Sequence, residues 1–199
     1  MVRRLTIGFC VVALLLGAIE AWVGRFYMNN AGLQYLDNAD VYWRGDFHNG
    51  LNTLWSPLYS WLFGSLSAIV HATREQAFPL VHLLNFFLYA MSLASFLFFL
   101  HCLWPLPPAR SESGFVLLNG VVFLYCSLGY TALVIVTPDL LVNFFAFITA
   151  GLLIRIVLAE AGARDFVWLG AALGVAYLGK APFLPIGVLC LFNRSLVQP

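Results

Sequence analysis

Charged residues are scarce in this chain. Of its 199 residues, 10% are Asp, Glu, Lys or Arg and 62% are hydrophobic, and the mean hydropathy is +0.89. Soluble globular domains usually carry about 25% charged and about 45–50% apolar residues. The shortage of charge therefore excludes a soluble domain, and we predict an integral membrane protein.

Two other features are missing. The ten Lys and Arg residues are scattered and the net charge is +1, so the chain has no basic stripe with which to bind a nucleic-acid backbone. None of the cysteines has C-x-x-C spacing, and each lies in an apolar run, which is typical of small core residues and not of a disulfide framework or a zinc site. The cysteines are Cys10, Cys102, Cys126 and Cys190.

Long apolar segments, by contrast, occupy most of the chain. A membrane-spanning helix needs about 20 apolar residues. Arg3 and Arg4 precede the first segment without a clear cleavage site after it, which predicts an uncleaved helix with a cytoplasmic N-terminus. We expect one membrane domain over 1–199, all-α and polytopic, with about six transmembrane helices in the inner membrane of a bacterium. The segments are 5–24, 77–104, 115–136, 140–159 and a bipartite 166–192, either one tilted helix or two short helices meeting at Lys180.

The stretch 54–71 decides the architecture. Its large apolar residues fall on one helical face and its Ser, Gly and His residues on the other, which is typical of a helix lying in the membrane interface. With this stretch on the surface, six Lys and Arg residues lie on the cytoplasmic side and four outside, whereas a crossing helix reverses that split. The positive-inside rule therefore favours an interfacial helix in the first outer loop.

The only long polar interval of the sequence is 29–71, and we predict that a site for a polar substrate lies there. Spacings of three and four residues place Asp37, Asp40 and Arg44 on one helix face, with His48 close by in sequence. The alternative is a solvated loop with local ion pairs. In the surface-helix topology these residues share one side of the membrane with Asp139 and Lys180.

Asp139 and Lys180 each have two interpretations. Thr137, Pro138 and Asp139 together form a good helix start, but a carboxylate between apolar runs is also a candidate site residue. Lys180 lies where glycine and proline interrupt an apolar segment, as in an anion site on a broken helix. Its alternative role is that of a lysine reaching from a helix end to the lipid headgroups.

Four stretches together resemble the N-terminal membrane module of GT-C glycosyltransferases, which include protein O-mannosyltransferases and aminoarabinose transferases. They are the acidic outer loop, Trp55-Ser-Pro-Leu-Tyr-Ser-Trp-Leu-Phe-Gly64, Thr137-Pro-Asp139 and Tyr177-Leu-Gly-Lys-Ala-Pro-Phe-Leu-Pro185. The resemblance implies transfer of a sugar from a polyprenyl-phosphate carrier to an acceptor on the non-cytoplasmic side. It matches Asp139 to the family's second acid and Lys180 to a basic group near the carrier phosphate.

The family's first acid has no counterpart before Tyr35-Leu36, so Asp37 or Asp40 takes that role from one turn further on, or the base is missing. The resemblance also leaves a divalent cation open as a cofactor. Family members continue through more helices, so we expect a truncated chain or one completed by a partner subunit. A non-enzymatic lipid-binding or assembly subunit remains the alternative. The candidate catalytic residues are Asp37, Asp40 and Asp139, and the candidate substrate-binding residues are Lys180, Arg44, His48, Trp55 and Tyr59.

Overall fold

The computed structural model describes residues 2–50, 54–105, 113–158 and 162–192, and within these ranges every regular element is a helix. Arg110 and Arg194, which contribute to the charge count, lie outside the described residues. The helices are α1 (Val2–Val23), α2 (Asn30–Trp43), α3 (Phe47–Gly50), α4 (Pro57–Ile69), α5 (Ala77–Leu103), α6 (Ser113–Leu124), α7 (Asp139–Val157), α8 (Ala163–Gly179) and α9 (Phe183–Phe192). A short 3-10 turn, Arg74–Gln76, leads into α5, and a π-helical turn, Tyr125–Tyr130, extends α6.

Four of the described helical segments are long and apolar enough to cross a membrane: Arg3–Val23, Arg74–Leu103, Ser113–Tyr130 and Asp139–Val157. Helices suit the hydrocarbon because each one satisfies its own backbone hydrogen bonds. The predicted all-helical fold is thus confirmed for the described residues, and its four apolar helices are consistent with an integral membrane protein.

Helix α5 is the centre of the bundle and packs against both α7 and α1. Phe96 of α5 stacks on Phe123 of α6 with ring centroids 4.7 Å apart. Tyr89 donates a hydrogen bond to the Ala13 carbonyl of α1 at 3.0 Å. A Cβ on Gly17 would lie 2.5 Å from the Tyr89 ring, so the glycine lets α1 approach this close.

Helices α1 and α5 run antiparallel. Glu20, near the end of α1, and His82, near the start of α5, both contact the backbone of Val134. At the other end of the bundle, Arg3 of α1 and Trp104, just after α5, line one surface cavity. The connection between the two helices therefore begins and ends at the same end of the bundle.

Helix α4 lies within that connection and packs on α2. Ser60 donates to the Tyr35 carbonyl at 2.9 Å, and a Cβ on Gly64 would lie 3.6 Å from Ala39. The face predicted to be polar is therefore the packed one, because small side chains let two helices come close. Ile69 at the end of α4 is exposed. The 13 residues of α4 extend over about 20 Å, less than the roughly 30 Å of a hydrocarbon core.

Two apolar segments of the sequence do not each form one continuous helix. The predicted helix 115–136 is wrong at its end, because the helical conformation stops at Tyr130 and residues 131–138 follow without regular structure. The bipartite segment forms two helices, which confirms one of the two alternatives for 166–192. Lys180 between them is extended, with φ −161° and ψ 128°.

Single cysteines at Asn49, Glu75 and Gly162, in a background without the native cysteines, test the course of the chain. All three positions are exposed. Asn49 and Glu75 both lie in the connection between the antiparallel helices α1 and α5, whereas Gly162 follows α7. We therefore expect Asn49 and Glu75 to react with an impermeant thiol reagent from one side of the membrane and Gly162 from the other. Labelling of Glu75 and Gly162 from the same side would contradict this arrangement.

Candidate functional site

Helices α7 and α8 lie side by side with an ion pair at each end. Lys180 Nζ, just after α8, lies 2.5 Å from Asp139 Oδ1 at the start of α7. Arg155 Nε, near the end of α7, lies 3.2 Å from Asp165 Oδ1 in the first turn of α8. At the helical rise, Asp139 and Arg155 are about 24 Å apart along α7. The two helices are therefore antiparallel, and the two ion pairs lie at opposite ends.

A cavity of about 370 Å³ surrounds the Asp139–Lys180 pair. The lysine side chain is 47% exposed and the carboxylate side chain 32% exposed, so both are accessible from the cavity. Tyr35 packs edge-to-face on Trp55 in the same wall, with ring centroids 4.9 Å apart. A charge pair beside aromatic rings can bind an anionic group together with an apolar or ring-shaped one. The cavity is lined by Tyr35, Leu54, Trp55, Ser56, Thr137, Pro138, Asp139, Lys180, Ala181 and Pro182.

Asp139 takes its position from the start of α7, of which it is the first residue. The helix begins at the predicted place, but Thr137 does not cap it, because the Thr137 hydroxyl donates to Asp139 Oδ2 at 2.9 Å instead of accepting from a backbone N–H. The helix dipole still favours a carboxylate at this end. Asp139 thus begins a helix and also lines the cavity.

Tyr35 is a cavity residue that sequence reasoning missed. Burial, and secondly the negative charge of Asp139, raise its pKa to about 12. Its hydroxyl therefore stays protonated at neutral pH and remains a hydrogen-bond donor. The only signal in the sequence was its place in Tyr35-Leu36, next to the missing first acid.

Asp37, Asp40 and Arg44 line a different cavity, of about 410 Å³, that also includes Arg74. On α2, Tyr35 and Asp37 are separated by about 200° around the helix axis, so they face opposite ways. Asp40 and Arg44 lie 3.9 Å apart and both are exposed, which makes a weak ion pair. The structure therefore brings Trp55 to Asp139 and Lys180 but places these three residues elsewhere.

Tyr59 and His48 lie outside both cavities. Tyr59 is fully buried and donates to Asn85 Oδ1 at 2.6 Å, and its burial raises its pKa. His48 is exposed on the short α3. Its neighbour Asp46 accepts hydrogen bonds from the Asn49 amide and backbone N–H, which lower the Asp46 pKa. These contacts are the local pairing of a solvated loop.

The segment 131–138 leads directly into Asp139, and polar side chains of α5 hold its carbonyl groups. Asn85 donates to the carbonyls of Leu133 at 2.9 Å and Ile135 at 3.3 Å. His82 Nε2 lies 3.1 Å from the Val134 carbonyl. Asn85 is fully buried. A buried amide in an apolar helix is costly unless it forms hydrogen bonds. Here the Asn85 amide donates to carbonyl groups of residues 131–138 that have no partner within a helix.

The N–H groups of the same segment bond to α1 and to the residue before α2. Asn29 Oδ1 accepts from Val136 at 2.9 Å, and Glu20 Oε1 accepts from Val134 at 3.4 Å. Neither Asn85 nor Glu20 was among the candidate residues predicted from the sequence. Polar residues inside apolar runs were the available signal for both.

The cavity residues do not fit a metal ion. Among the described residues there is no group of three His, Cys, Asp or Glu side chains that could hold one. Asp139 lies against an ammonium group, which repels a second cation.

Replacing Asn85 with Leu tests how much the segment depends on its side-chain partners. The carbonyls of Leu133 and Ile135 would lose their donor, and the Tyr59 hydroxyl its acceptor. We expect the free energy of unfolding in detergent to fall by about 1–3 kcal/mol. Asn119→Leu is the matched control, because among the described residues that amide donates only to the Phe115 carbonyl of its own helix. An equal loss in both variants would contradict a special role for Asn85.

Comparisons with protein-family models, with curated proteins and with solved structures found no match to this chain. The assignment of a function therefore depends on the geometry of the Asp139–Lys180 cavity and on the chemistry of the residues around it.

Proposed function

We propose that the protein is a GT-C-like membrane glycosyltransferase that binds a polyprenyl-phosphate sugar in the Asp139–Lys180 cavity. The observation that supports this is the ion pair itself: an accessible ammonium and an accessible carboxylate, 2.5 Å apart, in a cavity with aromatic walls. A lipid phosphate needs a fixed cation, and a hydroxyl acceptor needs a base. The cavity contains one candidate for each role.

The pair is the resting state of the site. The donor phosphate binds Lys180, which takes the ammonium away from Asp139 and leaves the carboxylate free to accept a proton. The acceptor hydroxyl loses its proton to Asp139 while its oxygen bonds to the anomeric carbon. The bond between that carbon and the phosphate oxygen breaks, and the polyprenyl phosphate leaves while bound to Lys180. The transferred sugar then has the inverted configuration at its anomeric carbon. No step uses a metal ion.

Asp139 is the base in this proposal, and Asp37 and Asp40 are not. Of these three carboxylates, Asp139 alone lines the cavity of Lys180, whereas the other two lie on the far side of α2 from Tyr35. Their own cavity, with Arg44 and Arg74, has carboxylate acceptors and guanidinium donors suited to hydroxyl groups. We assign it no step in the reaction.

The same helices support a membrane placement. α4 is short and packs on α2, which supports an interfacial helix that does not cross. α8 extends from the Arg155 end of α7 to the Asp139 end, so it crosses wherever α7 does. The Asp139–Lys180 cavity then opens on the non-cytoplasmic side, in the inner membrane of a bacterium with the N-terminus inside.

Binding of the carrier is tested with polyprenyl phosphate and the purified protein. Lys180→Gln is expected to weaken binding about tenfold to a hundredfold, the effect of losing one charged hydrogen bond. Lys180→Arg keeps the charge and is expected to retain most of the affinity. Arg25→Gln removes another cation, close to the end of α1, and is the control that leaves affinity unchanged. Equal affinity in all variants would reduce Lys180 to a residue that reaches the lipid headgroups.

Transfer is tested with a radiolabelled polyprenyl-phosphate sugar and a hydroxyl acceptor. Asp139→Asn is expected to lower the rate by about 10²–10⁴-fold, the usual contribution of a placed base, while carrier binding persists. Asp37→Asn and Asp40→Asn are expected to change the rate little. Loss of transfer in either of these, with full transfer in Asp139→Asn, would move the base to α2.

One observation favours a second function, that of a lipid-binding subunit without transferase activity. The two other candidate acids are separated from Lys180, so a single carboxylate, already paired with a cation, remains in the cavity. Carrier binding without transfer, in the presence of any partner subunit, would select this function.

A further inference from the structure

Another cavity, larger than the Asp139–Lys180 cavity, lies between α5, α7 and α8. Its volume is about 650 Å³. Most of its lining is apolar and combines small residues of α5 and α8 with aromatic residues of α5, α7 and α8. The apolar lining includes Ala94, Phe98, Phe144, Ile148, Ala172 and Val175. We call it the α5–α8 groove.

The groove covers about half of the membrane thickness. On α7 it extends from Phe144 to Arg155, and on α8 from Val175 back to Asp165. At the helical rise these are distances of about 16 Å and 15 Å, whereas a hydrocarbon core is about 30 Å thick. The groove therefore begins at the Arg155 face of the bundle and ends near the membrane centre.

The charged groups of the groove lie at its Arg155 end. Arg155 forms an ion pair with Asp165, but 37% of its side chain is exposed, and a guanidinium has five N–H donors. Arg164 next to Asp165 is exposed, and so is Trp168, an aromatic residue of the kind that favours the headgroup level. Arg155 and Asp165 line this end, and Arg164 is the exposed neighbour of Asp165 in the chain, so these three described residues carry two positive charges and one negative charge.

We propose that the α5–α8 groove binds one acyl chain of a glycerophospholipid, with the lipid phosphate on Arg155 and Arg164. The groove has the polarity of such a lipid, since it is cationic at the membrane surface and apolar towards the centre. Its length matches one leaflet. A partner transmembrane helix would need a groove over the whole thickness, so it does not fit.

The polyprenyl carrier does not fit either. Its phosphate belongs at Lys180, about 24 Å from Arg155 at the other end of α7, in the opposite leaflet. The phospholipid site is thus separate from the proposed donor site, and only the exclusion of the carrier rests on the proposed function. A bound chain would fill the space between α5, α7 and α8, and would hold α8 in the position that places Lys180 beside Asp139.

The test uses the purified protein in phosphatidylcholine nanodiscs that contain a phosphatidylglycerol with a photoreactive group in one acyl chain. After irradiation, mass spectrometry locates the labelled residues. We expect labelling to concentrate on groove residues such as Phe98 and Ile148. Ala172→Trp fills the groove and is expected to cause a severalfold loss of that labelling. Val121→Trp, on the exposed face of α6, is the matched control and is expected to leave it unchanged.

Further variants keep the test decisive if Ala172→Trp does not fold. Ala94→Phe fills the groove from α5 and is expected to reduce the labelling likewise. Arg155→Gln combined with Arg164→Gln is expected to reduce labelling by phosphatidylglycerol severalfold. Labelling spread evenly over the groove and the α6 surface would mean ordinary boundary lipid and would overturn the proposal. Stronger labelling of the groove by a photoreactive polyprenyl phosphate than by the phospholipid would overturn it in favour of the carrier.

Discussion

The structure depends on one constraint: a non-helical backbone inside an apolar bundle must find partners for its N–H and C=O groups. Residues 131–138 lie between α6 and α7 in this situation, and Leu133 and Val136 within them are completely buried. Asn85 and His82 contact the carbonyl groups, and Asn29 and Glu20 accept from the N–H groups. These side chains come from α1, α5 and the residue before α2. The hydrogen bonds of residues 131–138 therefore connect all three elements at one end of the bundle.

The candidate site is a consequence of that arrangement. The segment delivers Asp139 to the first position of α7, and α8 returns along α7 to place Lys180 opposite it. The second ion pair, Arg155 with Asp165, holds the other ends of the same two helices. Asp165 also accepts from the Gly162 N–H at 2.9 Å, so one carboxylate contacts both the residue before α8 and Arg155 of α7.

Two of the acids show why sequence spacing was insufficient. Asp37 and Asp40 do share a face of α2, as their spacing predicts, but that face looks into the cavity of Arg74 and not towards Lys180. The direction of a helix face depends on what the other side packs against. Here Tyr35 and Ala39 pack against Trp55, Ser60 and Gly64. Small residues on α4 made that packing possible, although their pattern had indicated a solvent-facing surface.

By itself the sequence determined the class of protein, the approximate positions of the long helices and the break at Lys180, because hydropathy, length, glycine and proline act locally. It also indicated Asp139 and Lys180 individually, since a charge inside an apolar run is conspicuous. Only the tertiary structure decided that these two residues meet, that the helical conformation after α6 stops at Tyr130, and that Tyr59 belongs to the core. Each of these outcomes depends on contacts between residues distant in the chain, such as Asn85 with Leu133, and no local pattern encodes such a contact.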